Sequence, residues 1–194
     1  MQAEFKKVMS KVTVVYRVIS YILVVFAGLL GLVDVLMLLA SLVNPAGLIS
    51  VAMVTATVVY SFTSFYFGLR AIQYNRPCKP TLQIWIRVTA IITVLFAVQG
   101  LISAIALVAN PDLLNDAYKD AVKMQPTLKS SGVSKEDLIH VIKVIMYVCE
   151  VYFLMLLLHI TITFGLLRQY KHLFSKDGPD QLFNKEKKER EDEL

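Results

Sequence analysis

A run of 26 residues, Val18–Val43, carries one formal charge, at Asp34. A helix rises about 1.5 Å per residue and a bilayer core is about 30 Å thick, so about 20 apolar residues suffice to cross it. A helix on the surface of a soluble protein needs a polar face, and this run has none. Three further apolar runs follow at 48–67, 88–109 and 144–167. Hydrophobic residues make up 56% of the chain and charged ones 18%, against about 25% charged in soluble domains. The charges are also segregated: apart from Arg70–Arg87, the stretch from Val18 to Ala109 holds only Asp34. The expected fold is all-α, a bundle of four transmembrane helices. A secretory signal would have an apolar region of about 7–15 residues, so the first run is expected to stay in the protein as a helix.

Orientation follows from the basic residues, which accumulate on the cytoplasmic side of membrane proteins. The leader, residues 1–17, has Lys6, Lys7, Lys11 and Arg17 against Glu4, and the 70–87 loop has Arg70, Arg76, Lys79 and Arg87 with no acid. The 110–138 loop has four basic and five acidic residues. Both termini and the 70–87 loop are therefore expected in the cytoplasm and 110–138 outside. Residues 18–168 form the membrane domain and 169–194 a charged cytoplasmic tail. The net charge of +5 sits at predicted membrane edges and does not point to nucleic acid.

Within the outer loop, Asn110 is suited to cap a helix with Pro111 in its first position. Leu113, Leu114, Ala117, Tyr118, Ala121 and Val122 then repeat at amphipathic spacing, predicting a short helix that lies on the membrane surface or caps the bundle. Ser134 and Asp137 have the spacing of a capping box, which starts the next helix near Lys135. Pro77 and Pro80 argue against helix around Cys78, while Tyr74 and Trp85 suit an aromatic interface belt.

Cys78 and Cys149 are expected on opposite sides of the bilayer, too far apart for a disulfide. Neither has His or Cys neighbours at zinc spacing, and no Walker, HExxH, GxSxG or CxxC pattern occurs. No cofactor, metal or catalytic set is expected. The tetraspanin Cys-Cys-Gly signature is also missing. In Asn75-Arg76-Pro77-Cys78-Lys79-Pro80…Trp85-Ile86 and Phe164-Gly165-Leu166-Leu167-Arg168-Gln169-Tyr170 the chain resembles a group of small uncharacterised bacterial four-helix integral membrane proteins. The resemblance implies a multi-pass protein of the bacterial cytoplasmic membrane and carries no activity.

There is also an internal echo. Arg17-Val18…Ile22-x-Val24-x-Phe26-Ala27 matches Arg87-Val88…Ile92-x-Val94-x-Phe96-Ala97 at a constant offset of 70. Two helical hairpins arranged as parallel repeats would produce it, as would chance similarity between Leu- and Val-rich helices.

The polar residues inside the apolar runs are the candidate site. Counted inward from the outer turns, Asp34, Thr57 and Gln99 each fall roughly 15 Å deep, near the midplane, and Glu150 somewhat nearer the surface. Asp34 shares a face with Ala27, Gly31 and Ser41, where small residues let a second helix approach. Asp34 is therefore expected to bond Gln99 or a hydroxyl of the second run. Ser50, Thr57, Ser61, Ser64 and Gly68 form another stripe, whose hydroxyls can bond carbonyls one turn back. His159 is expected to serve in packing or to bond backbone. The expected role is non-enzymatic, through helix packing and contact with lipid, a second copy or a membrane-protein partner. The alternative is a small transporter or channel subunit using Asp34 and Glu150 for proton or cation coupling.

Overall fold

The computed structural model describes residues 2–42, 45–124 and 134–174, excluding the side chains of 2–10, Ala46, Ala121 and Met124. Five α-helices account for most of them: α1 (Gln2–Ser41), α2 (Leu48–Phe67), α3 (Pro80–Ala109), α4 (Pro111–Met124) and α5 (Lys135–Gln169). No strand occurs among the described residues. All but α4 are long and apolar enough to cross a membrane, within Lys11–Ser41, Leu48–Gln73, Pro80–Ala109 and Lys135–Gln169.

The helices exceed the apolar runs. Helix α1 begins in the basic leader and α5 begins at Lys135, because neither 2–17 nor 135–143 contains a proline or glycine to stop a helix. The expected 70–87 loop shrinks to Tyr74–Lys79. On one side α2 continues through a π-helical turn, Gly68–Gln73, closed by the Tyr74 N–H donating to the Leu69 carbonyl at 3.1 Å. On the other side α3 begins at Pro80, where a proline has no intrahelical donor to lose. Arg70 holds the connection, donating from Nε to the Pro77 carbonyl (2.9 Å) and from Nη1 to the Tyr66 hydroxyl (2.8 Å). Asn75 turns the chain with φ 48°, a conformation asparagine accepts better than most residues.

The chain divides into two compact units. The first, residues 1–94 with 158–194, contains α1, α2, the start of α3 and the end of α5. Helices α1 and α2 pack along each other, with Ala27 buried and Gly31 facing Val58 Cγ1 at the distance of a would-be Cβ contact, 3.7 Å. The first residues past α5 belong to this packing rather than to a free tail. The Cys78 N–H donates to the Leu173 carbonyl at 2.8 Å, and Phe174 stacks on Phe67. The second unit, residues 95–157, holds the end of α3, helix α4 and the start of α5. Phe153 meets Phe96 edge-on there and lies against Gly100.

Outward faces are apolar, with Leu32 at 68%, Leu36 at 65% and Ile49 at 71% exposure. The inward positions repeat the sequence echo. Tyr16, Ile19, Ser20, Leu23 and Ala27 are buried in α1, and 70 residues later Ile86, Thr89, Ala90, Thr93 and Ala97 are buried in α3. The offset of 70 is thus carried by packing as well as by letters.

Candidate functional site

A polar side chain on an apolar helix finds a hydrogen-bond partner either in its own backbone or on a neighbouring helix. Helix α2 does the first. Thr57 donates to the Met53 carbonyl (3.0 Å), Ser61 to Thr57 (2.9 Å) and Ser64 to Ser61 (3.1 Å), all three buried. Ser50, at the start of the stripe, is exposed.

The second solution is concentrated on His159, which is fully buried. Its Nε2 lies 2.8 Å from Ser20 Oγ of α1 and its Nδ1 lies 2.9 Å from the Tyr60 hydroxyl of α2. The Tyr16 ring stacks on the imidazole, with centroids 4.7 Å apart and planes 11° from parallel. Tyr16 in turn donates to the Ser64 carbonyl at 2.7 Å. Three helices are therefore joined through one ring.

Hydrogen counting gives the direction of each bond. Ser20 has one hydroxyl hydrogen, and the Tyr16 carbonyl one turn back takes it at 2.7 Å. Ser20 Oγ must then accept from His159 Nε2–H, which leaves Nδ1 as the acceptor for the Tyr60 hydroxyl. Thr163 donates to the His159 carbonyl (2.7 Å) and flanks the Tyr60 oxygen at 3.0 Å. In distance Ser20 and His159 resemble a nucleophile and its base. In direction they do not, because the serine proton points away from the ring and Nδ1 faces a phenol rather than a carboxylate. The arrangement is a three-helix lock.

The four expected site residues behave differently from one another. Asp34 is half-buried and its Oδ2 accepts from the Thr55 hydroxyl of α2 at 2.6 Å, a hydroxyl of the second run but not that of Thr57. Its Oδ1 is shielded from solvent and unpartnered among the described residues. Thr57 is buried and donates its proton to its own helix, at the Met53 carbonyl one turn back. Gln99 and Glu150 lie in the second unit. Gln99 is exposed and Glu150 half-buried, and neither side chain makes a hydrogen bond among the described residues. Sequence reasoning underrated His159. The available signal was its helical spacing to Thr163, which puts a ring and a hydroxyl on one face.

At the turn between α2 and α3, Cys78 is buried, and that burial pushes its thiol pKa up while the Arg70 charge pulls the other way. Among the described residues no three His, Cys, Asp or Glu side chains are grouped so as to hold a metal ion. No protein family, curated protein or solved structure matches the chain.

Proposed function

We propose that this protein crosses the bacterial cytoplasmic membrane four times and acts without catalysis, by presenting a helix face to another membrane helix. Its termini and the Tyr74–Lys79 turn lie in the cytoplasm, with α4 in the outer loop at the membrane surface. Gln99 carries the reading. It stands on the exposed face of α3 with Ser103 and Ala106, ten residues from the end of a 30-residue apolar helix. An amide held in hydrocarbon gains by pairing across a helix interface, and the small residues beside it let a second backbone come close. The Ser20, Tyr60 and Ser61 hydroxyls and the His159 imidazole of the first unit, by contrast, already have hydrogen-bond partners.

The test is cross-linking in native membranes from Ser103→Cys, in a chain carrying Cys78→Ser and Cys149→Ser. A discrete cross-linked species, to a second copy or to another protein, is expected, and Gln99→Leu should abolish it. Monomer alone in both chains, or cross-linking that Gln99→Leu leaves intact, overturns the reading. The transporter alternative draws on Asp34 and Glu150, the acids inside the apolar runs, and among the described residues Asp34 Oδ1 is shielded from solvent without a partner. Proton leakage through reconstituted vesicles that Asp34→Asn abolishes would favour it.

A further inference from the structure

The first unit holds four cations near the ends of its helices that make no ion pair among the described residues. Lys11 and Arg17 at the start of the first transmembrane-length stretch, Arg70 at the end of the second, and Arg87 at the start of the third lie in it. Among the described residues, the ion pairs are Lys119–Asp116 and Lys123–Asp120, both on α4 in the other unit. The carboxylate described in the first unit is that of Asp34, about 25 Å from Arg17 along the helix axis.

Beside Arg17 the surface of the first unit is indented. A small notch between α1 and α2 with its π-helical turn is lined by the apolar Phe65, Leu69 and Ile72 and by the polar Thr13, Arg17, Ser20 and Gln73, of which Ser20 is buried and Arg17 and Gln73 are exposed. The π-helical turn shapes one wall. It brings Gly68 so close to Tyr16 that a Cβ there would lie 2.9 Å from the ring. The surface of the notch divides into apolar side chains and one exposed charge, Arg17. That division matches a lipid entering at the membrane edge, with methylenes below and a charged headgroup above.

We propose that this notch binds one anionic phospholipid. The phosphate pairs with the Arg17 guanidinium, which is exposed and has no protein partner among the described residues. The Gln73 amide and the Thr13 hydroxyl donate to phosphate or ester oxygens, and the first methylenes of one acyl chain lie on Phe65, Leu69 and Ile72. Charge complementarity selects the anionic headgroup, since among the described residues no acid stands near Arg17 to neutralise it first. The proposal rests on the membrane reading above.

The test uses the full chain, stripped of lipid in a neutral detergent and titrated with phosphatidylglycerol or phosphatidylcholine, with bound lipid counted by native mass spectrometry. One retained phosphatidylglycerol is expected, favoured about fivefold over phosphatidylcholine, the worth of about one basic side chain at a membrane surface. Arg17→Gln should remove the preference, and Ile72→Trp, which fills the notch, should remove retention of both lipids. Arg87→Gln, outside the notch, should behave as the parent chain. Arg17→Gln is an exposed change that leaves the fold alone, so a preserved preference in that variant overturns the proposal. Displacement by inorganic phosphate alone would assign the notch to a soluble anion and overturn it too. A chain washed from membranes by alkaline carbonate would instead defeat the membrane reading on which the site depends.

Discussion

At the scale of single residues, the protein's most committed group is His159. Both ring nitrogens are bonded across helices, and a stacked Tyr16 closes one face. Removing one partner leaves a buried nitrogen unsatisfied, which costs about 1–3 kcal/mol, more than the bond itself contributes. Tyr60→Phe should therefore lower stability by about that amount, read as the midpoint of unfolding in denaturing detergent. It strands Nδ1 and also withdraws the hydroxyl beside Thr163. An exposed tyrosine such as Tyr74 changed to Phe should shift the midpoint little. Equal effects of the two would show that the lock contributes nothing beyond ring packing. Asp34 stands at the other extreme, with one bond to Thr55 and a second oxygen left over.

At the scale of elements, the glycines separate close packing from open surface. At Gly68 an added Cβ would meet the Tyr16 ring at 2.9 Å, and that ring is pinned by its own bond to Ser64 and by His159. Gly68→Ala should destabilise, on the order of 1–3 kcal/mol as for other overpacked sites. At Gly28 nothing lies within 4 Å of the same added atom. Gly28→Ala should be neutral or stabilising, by up to about 1 kcal/mol, because alanine favours helix. Thermal unfolding of the two variants side by side decides it, and a Gly68→Ala chain as stable as Gly28→Ala would mean that Tyr16 is free to move. The echo between α1 and α3 also belongs to this scale. Buried positions coincide at the offset of 70 although their identities differ, Tyr16 against Ile86 and Leu23 against Thr93. Shape is repeated where chemistry is not: Tyr16 and Ser20, which α1 gives to the His159 lock, stand where α3 has Ile86 and Ala90.

For the whole molecule, the topology is testable with single cysteines. With Cys78 and Cys149 replaced by serine, a membrane-impermeant maleimide applied outside intact cells should modify Lys119→Cys and spare Lys79→Cys until the membrane is opened. The reverse pattern would invert the orientation drawn from the charges. Native Cys78 is a poorer probe even from the correct side. It is buried, and a raised thiol pKa leaves less thiolate near neutral pH, so its labelling should speed up only as pH rises above the ordinary thiol range.

The sequence by itself determined that the chain has four helices long and apolar enough to cross a membrane, because length and polarity are local properties of each run. It also determined how α2 treats its hydroxyls, since an i−4 carbonyl is supplied by the same helix wherever that helix goes. The ends of helices were less legible. The capping box at Ser134 and Asp137 marked the start of α5. Charged residues in the leader looked like a boundary, yet nothing there forbids helix and α1 runs through them. The polar partnerships between helices were decided only by tertiary structure. Depth along the axis placed Thr57 beside Asp34, but rotation and crossing of the helices brought Thr55 there instead, and turned Gln99 outward. His159, Ser20 and Tyr60 are separated by 139 and 99 residues, and no local period links them. Which side chains meet across such separations depends on the register of three packed helices, a quantity that exists only once they have folded together.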